Sequence, residues 1–289
     1  MDKRKKYLSL CISLITLSFF CLTGCGKEKT TGEESYSVNE VTAMRVNADT
    51  WNTDIMVSAD ENIHIHFDGS ISNGEEKPST SLQNGILSVT QQGNSEGLQD
   101  QISLGKKGQI TIYLPSECNI PLTLENGMGD IEIDSISTQE FSLNNSSGYA
   151  TISSVTADNM KISSGSGDIT IKQGSADEIK IETSSGYVQI NETVLNHAEV
   201  TTKSGETTIS KVKPEMNLTI QSGSGDINLT YQSKPESLEF AVTSGSKDIT
   251  TNFDGATYSR ETSESRQGMI GKGEFSLKVN SDSGTVVIK

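Results

Sequence analysis

Six side chains recur at one point of a repeat and carry most of the chemistry this sequence offers. Asp130, Tyr149, Asp168, Tyr187, Glu206 and Asp226 each follow a glycine and precede a strand-like triplet, as in Gly167-Asp168-Ile169-Thr170-Ile171. Acid alternates with phenol over the first four. In a stack of such units, aromatic faces can carry sugar rings while carboxylates accept hydroxyl hydrogen bonds, with Tyr149 and Tyr187 ~10 Å apart. A divalent cation fits worse. Alternate coils hold Asp130, Asp168 and Asp226 too far apart to share one ion at ~2.4 Å, and Glu206 with Asp226 makes a pair, not a cage. Asp130 and Asp168 match on paper the ~6.5–9.5 Å of an inverting glycosidase. Active sites break local rules, however, and this repeat keeps its rule coil after coil. The alternation also spares the stack a ladder of facing carboxylates.

Other candidates are sparse. His64 and His66 share one face of a strand and could chelate a metal, but no Cys, Asp or Glu is forced beside them, so the pair reads as a solvated face. His197 stands alone. Cys118 is either a buried small residue or a free thiol. No nucleophile motif, phosphate loop or metalloprotease helix motif is present, and no cofactor or metal site is expected.

The elements that must position the six come from the repeat itself. The turn glycine returns at Gly129, Gly148, Gly167, Gly186, Gly205 and Gly225, loosely at Lys247, and finally at Gly284, with spacings of 19, 19, 19, 19, 20, 22 and 37. Upstream of each lies a second apolar pair at i, i+2, such as Met160/Ile162 and Ile179/Ile181. That is the period of a half-buried strand, and no segment shows the 3.6 period of a helix. The expected fold is all-β: a single-stranded β-solenoid (β-helix-like), with about 19–20 residues per coil. Roughly ten coils, right-handed from strand twist, would stack Ile on Ile. Glycine at the corners is expected to supply positive φ. Residues 40–115 read as degenerate coils with loop insertions, the alternative being a small β-sandwich over 36–115. Residues 116–252 read as regular coils, and 253–289 as an insertion and a final coil, giving one 40–289 repeat domain.

Composition agrees with a thin core. Of 289 residues 33% are hydrophobic and 5% aromatic, with one tryptophan, Trp51. Net charge is −15; without the first 24 residues, which carry four basic groups and one acid, it is −18. Such a body argues against nucleic acid and anionic membrane surfaces as electrostatic partners.

The N-terminus runs Lys3-Arg4-Lys5-Lys6, an apolar stretch from Tyr7 to Phe20, then Leu22-Thr23-Gly24-Cys25. This resembles the signal peptide and lipobox of bacterial lipoproteins. The resemblance implies cleavage after residue 24 and lipidation of Cys25, whose acyl chains would hold the protein at the cell membrane. Residues 25–39 then read as the lipidated cysteine and a flexible tether.

Ser164 to Ile171, Ser222 to Leu229 and the closing Ser283 to Ile288 resemble the bacterial "putative adhesin" family of β-strand repeat proteins, a domain of unknown function. The resemblance implies an extracytoplasmic surface protein and brings no functional residues with it. The reading is therefore a non-enzymatic, lipid-anchored envelope adhesin or scaffold that binds cell-wall glycan or an envelope protein through a repeated polar face. Its rivals are an accessory of an envelope-stress sensor and a polysaccharide-active β-helix enzyme.

Overall fold

The computed structural model describes residues 27–72, 76–93 and 108–289; the lipobox and Cys25 lie outside them. The described residues are strand, turn and loop, with a single 3-10 turn at Val38–Glu40 and no α-helix.

Strands pair in parallel along two ladders joined by turns. Through the middle of the chain each unit stacks on the one before it. Ile131 pairs with Ala150, Ala150 with Ile169, Ile169 with Val188 and Val188 with Thr207 on one ladder. Phe141, Met160, Ile179, Ala198 and Leu218 align on the other. Alternate side chains point inward, as the period of two requires, and nearly all of these are below 3% exposed. A rung that buries four Ile or Leu gains ~8 kcal/mol at ~2 kcal/mol each. Ordering its backbone costs ~1–2 kcal/mol per residue. A lone rung therefore cannot hold itself, and stability comes from neighbours on both sides.

Stacking order departs from chain order at both ends. The rung 43–57 lies between the strands Ile86–Gln91 and Gly108–Leu114 on one side and 122–136 on the other, because Met44 pairs with both Leu87 and Leu122 and Ile55 with both Ile112 and Ile133. At the other end, the final copy 277–288 inserts between 218–229 and 238–251. The long last spacing holds an inserted hairpin and a final copy that stacks out of chain order. The chain passes the slot, forms an antiparallel hairpin from Thr257–Glu261 and Ser265–Ile270, and returns to fill it.

Three expectations change. First, Ile63 and Ile65 do not form a coil. Asn62–Ser72 runs antiparallel between Gly108–Leu114 and the N-terminal strand, and Ser79–Gln83 runs antiparallel to Ile86–Gln91. These hairpin strands cover the ladder edges. Residues 43–57 belong to the same stack, so 36–115 is not a separate sandwich. Second, the tether is a strand from residue 27: Lys27–Ser37 pairs along its whole length with Asn62–Ser72. Its polar sequence conceals this because an edge strand takes its stability from backbone bonds and needs little apolar side chain. Cross-strand contacts Ser35–His64 (2.7 Å) and His66–Glu33 (3.4 Å) pin it.

Third, the turn glycines owe nothing to positive φ. Those at 129, 148, 167, 186, 205, 225 and 284 are absent from the left-handed region, which holds Gly85, Gly174, Gly255, Gly271 and Gly273. They are glycine because a Cβ at Gly148, Gly167, Gly186, Gly205 or Gly225 would fall on the carbonyl oxygen of the glycine one rung below. Gly69 and Gly108, paired across two strands, are small for a related reason: the fully buried Trp51 ring lies against both.

Just before each turn, one inward column is polar. In stacking order it reads Gln91, Ala48, Asn126, Asn145, Ser164, Thr183, Thr202, Ser222, Ser281, Ser244. Asn126 and Asn145 donate to the carbonyls of Gly129 and Gly148, and Ser164 donates to that of Gly167 at 2.7 Å. Gly186 donates its N–H to Thr183 at 3.1 Å, and Gly284 to Ser281 at 2.8 Å. Gln91 accepts from the N–H groups of Thr50 and Trp51 at 2.9 and 3.1 Å. The column thus satisfies turn backbone that faces the core. Its one apolar member is Ala48, and beside it the Asn126 Oδ1 is buried with no partner.

Three substitutions test this. Gly167→Ala should destabilise by about 3 kcal/mol, whereas Gly255→Ala, left-handed but with open space, should cost about 1 kcal/mol. Equal losses in denaturant unfolding would refute the close-approach account. Ala48→Ser, which offers Asn126 a donor, should raise stability by about 1 kcal/mol; a loss in thermal unfolding would show that Asn126 is not short of one.

Candidate functional site: the turn edge

The residue after each turn glycine sits where backbone leaves the turn and enters the second ladder. Because Ile131, Ala150, Ile169, Val188, Thr207 and Ile227 are aligned, the residues before them form one column: Asp130, Tyr149, Asp168, Tyr187, Glu206, Asp226. Thr285 extends it, since Val286 pairs with Ile227. The structure brings all six candidate residues onto one edge.

Their backbone carries the ladder through this point. Ile131 donates to the Tyr149 carbonyl at 2.8 Å, Ala150 to that of Asp168 at 2.9 Å and Ile169 to that of Tyr187 at 2.8 Å. The N–H groups are served differently. Tyr149 N–H donates to Asp130 Oδ1 at 3.0 Å, Tyr187 N–H to Asp168 Oδ1 at 2.9 Å, and Thr285 N–H to Asp226 Oδ1 at 2.8 Å. At the start of the column Asp130 N–H donates to Asn52 Oδ1 at 3.1 Å. Each aspartate therefore holds the amide of the next rung. This gives the alternation a cause that charge repulsion alone did not. Glu206, one methylene longer, instead accepts from Thr208 at 3.0 Å and Asn228 at 3.1 Å.

The tyrosines are used otherwise. Tyr149 and Tyr187 are 61% and 59% exposed, the two most exposed large hydrophobic side chains among the described residues. Neither phenol has a hydrogen-bond or ring partner there. Met128, 52% exposed, stands beside the start of the column.

Other candidates resolve into structural roles. His64 accepts or donates at Ser35 and at Asp60 (2.9 Å), and His66 lies at Glu33, so acids do stand beside both histidines. Antiparallel pairing with the N-terminal strand supplies Glu33, a contact that sequence spacing gave no reason to expect. Asp60 is held below its usual range, first by the Asn62 backbone N–H and then by His64. No group of three metal-ligating side chains occurs among the described residues. Cys118 is buried and unpaired, and burial pushes its thiol up. Tyr231, a buried phenol that sequence reasoning passed over, is also pushed up by burial. His197 is exposed on Thr193–Thr202.

The repeated turns, the two ladders and the all-β stack agree with the comparison to known families: the Toastrack DUF4097 profile matches residues 41–289. The chain belongs to the Toastrack DUF4097 family. Among solved structures, this Toastrack chain is similar to a "putative adhesin" from Bacteroides fragilis NCTC 9343, at 16% identity and a TM-score of 0.53, covering 91% of this chain and 98% of that one. It is also similar to a "putative lipid binding protein" from Parabacteroides distasonis ATCC 8503, at 13% identity and a TM-score of 0.47, over 90% and 96% of the two chains. The likeness to the Bacteroides fragilis protein shows the fold alone. No curated protein matches the Toastrack chain. No helix among its described residues is long and apolar enough to cross a membrane.

The role of the edge aspartates can be separated from chemistry at the same atoms. Asp168→Ala should lower stability by about 1 kcal/mol and speed hydrogen exchange at the Tyr187 amide, while Asp168→Asn, which keeps an acceptor, should stay within about 0.5 kcal/mol of wild type. Identical exchange at Tyr187 in both variants and wild type would contradict the hydrogen bond's role.

Proposed function

We propose that this Toastrack protein is a non-enzymatic surface protein of the bacterial cell envelope, anchored through a lipid on Cys25. Its long stack would bind envelope components through side chains repeated along its outer faces. The observation that carries the reading is the turn edge itself: six side chains at one-rung intervals, with two unpartnered phenols among them, on a backbone held at every rung. Repetition turns weak contacts into avidity.

Four further points support it. The lipobox-like run Leu22 to Cys25 supplies an address and an anchor. The N-terminal strand begins two residues after Cys25, so the anchor would pass straight into the paired strand Lys27–Ser37 and hold the body close to the membrane. The Asp130 and Asp168 carboxylates, a nominal inverting pair, each hold a backbone amide, a structural duty that speaks against catalysis. The name of the Bacteroides fragilis protein of similar fold, a "putative adhesin", points the same way.

The test combines location with retention. The full-length protein should partition with membranes, and Cys25→Ser should release it to the soluble fraction. In detergent, the full-length protein should pellet saturably with purified cell walls across a salt series. Retention that vanishes at moderate salt, or never saturates, would overturn the envelope-binding reading.

A further inference from the structure

Resting on the proposed envelope-binding role, we infer that the turn edge between Tyr149 and Tyr187 is a binding site for a neutral, extended β-1,4-linked polysaccharide strand lying along the stacking axis. Three properties of the edge select this ligand.

The first is spacing. Tyr149 and Tyr187 are two rungs apart, or ~10 Å. That is close to one disaccharide repeat of an extended β-1,4-linked glycan, in which every second ring presents the same face. Two phenols at this separation therefore meet equivalent faces of one strand. A polymer with a shorter or helical repeat does not keep that register.

The second is the chemistry between them. Asp168 lies midway, with Oδ1 committed to the Tyr187 amide and Oδ2 left as an acceptor for a sugar hydroxyl. Both phenols lack partners among the described residues, so each ring offers a face and a hydroxyl group without breaking an existing contact. Burying such amphipathic rings against apolar sugar C–H faces costs little rotamer freedom.

The third is charge. Asp130, Asp168, Glu206 and Asp226 line the same edge of a chain whose net charge is −15. A polyanion, such as a uronate or a phosphate-bearing polymer, would meet like charge along ~24 Å of column. A neutral glycan meets none.

The experiment is titration calorimetry of the full-length protein in non-ionic detergent against the hexamer of β-1,4-linked N-acetylglucosamine, with an oligogalacturonate of equal length as the anionic control. The hexamer should bind and the control should not. Tyr149→Ala and Tyr187→Ala should each weaken binding about tenfold, and the double variant should abolish it, with circular dichroism and melting temperature unchanged because both side chains are exposed. The single sugar should fail to bind, because it reaches only one ring. No hexamer binding by the wild type, or equal binding by the double variant, overturns this inference. The two readings part on cell-wall pelleting: a double variant that loses the hexamer but still pellets with walls leaves the envelope role standing on another face.

Discussion

A glycine carbonyl one rung away leaves no room for a Cβ, and the rest of the rod depends on that contact. Turn glycines from 148 to 225 stack so closely that each is packed against the one below. Closeness at the turn keeps both ladders continuous around the corner. Ser166 N–H reaches the Ser146 carbonyl at 3.0 Å, and Ser185 that of Gly165 at 3.1 Å. It also strands turn backbone groups on the core side. The inward column from Asn126 to Ser244 answers them with short polar side chains, large enough to bond and small enough to fit. On the outer side the same geometry leaves the amides of Tyr149, Tyr187 and Thr285 to the edge aspartates. One steric constraint thus accounts for three columns: glycine at the turn, short polar residues before it and, after it, aspartates interleaved with the residues whose amides they hold.

A rod built this way has vulnerable ends, and both are folded back. Near one, antiparallel strands with polar faces pair with the last parallel rungs. Near the other, the chain overshoots and returns, so that its final copy is held on both sides. The hairpin beyond it covers Leu238–Ser244, and against Phe240 the Tyr258 ring packs edge-on at 5.4 Å and the Phe253 ring tilted at 4.5 Å. Exposed parallel edges invite pairing with other chains, and these devices limit it.

The repeating middle was legible because it obeys a period. Leu, Ile and Val at i, i+2 and glycine every 19 or 20 residues gave the strands, the turns and the column of six edge residues. What escaped was set by partners distant in sequence. The strand Lys27–Ser37 has no apolar alternation to reveal it; Asn62–Ser72 makes it a strand. The slot filled by 277–288 follows from a return path that spacing cannot encode. The period marks glycine as the corner residue but not why, since one-letter periodicity does not distinguish positive φ from crowding. The aspartate–amide bonds were hidden as well. The alternation was visible, but its cause needed the next rung in place.

Whatever the edge binds, it can do so only if the turns are in register, and that is directly measurable. Nitroxide labels on cysteines replacing Tyr149 and Tyr187, both exposed, should lie two rungs apart, while labels at 149 and 226 should lie four rungs apart. Dipolar broadening in the first pair should correspond to ~10 Å and in the second to ~19 Å. A first pair with no broadening, or two pairs with the same separation, would contradict a stack in which each turn rests on the last.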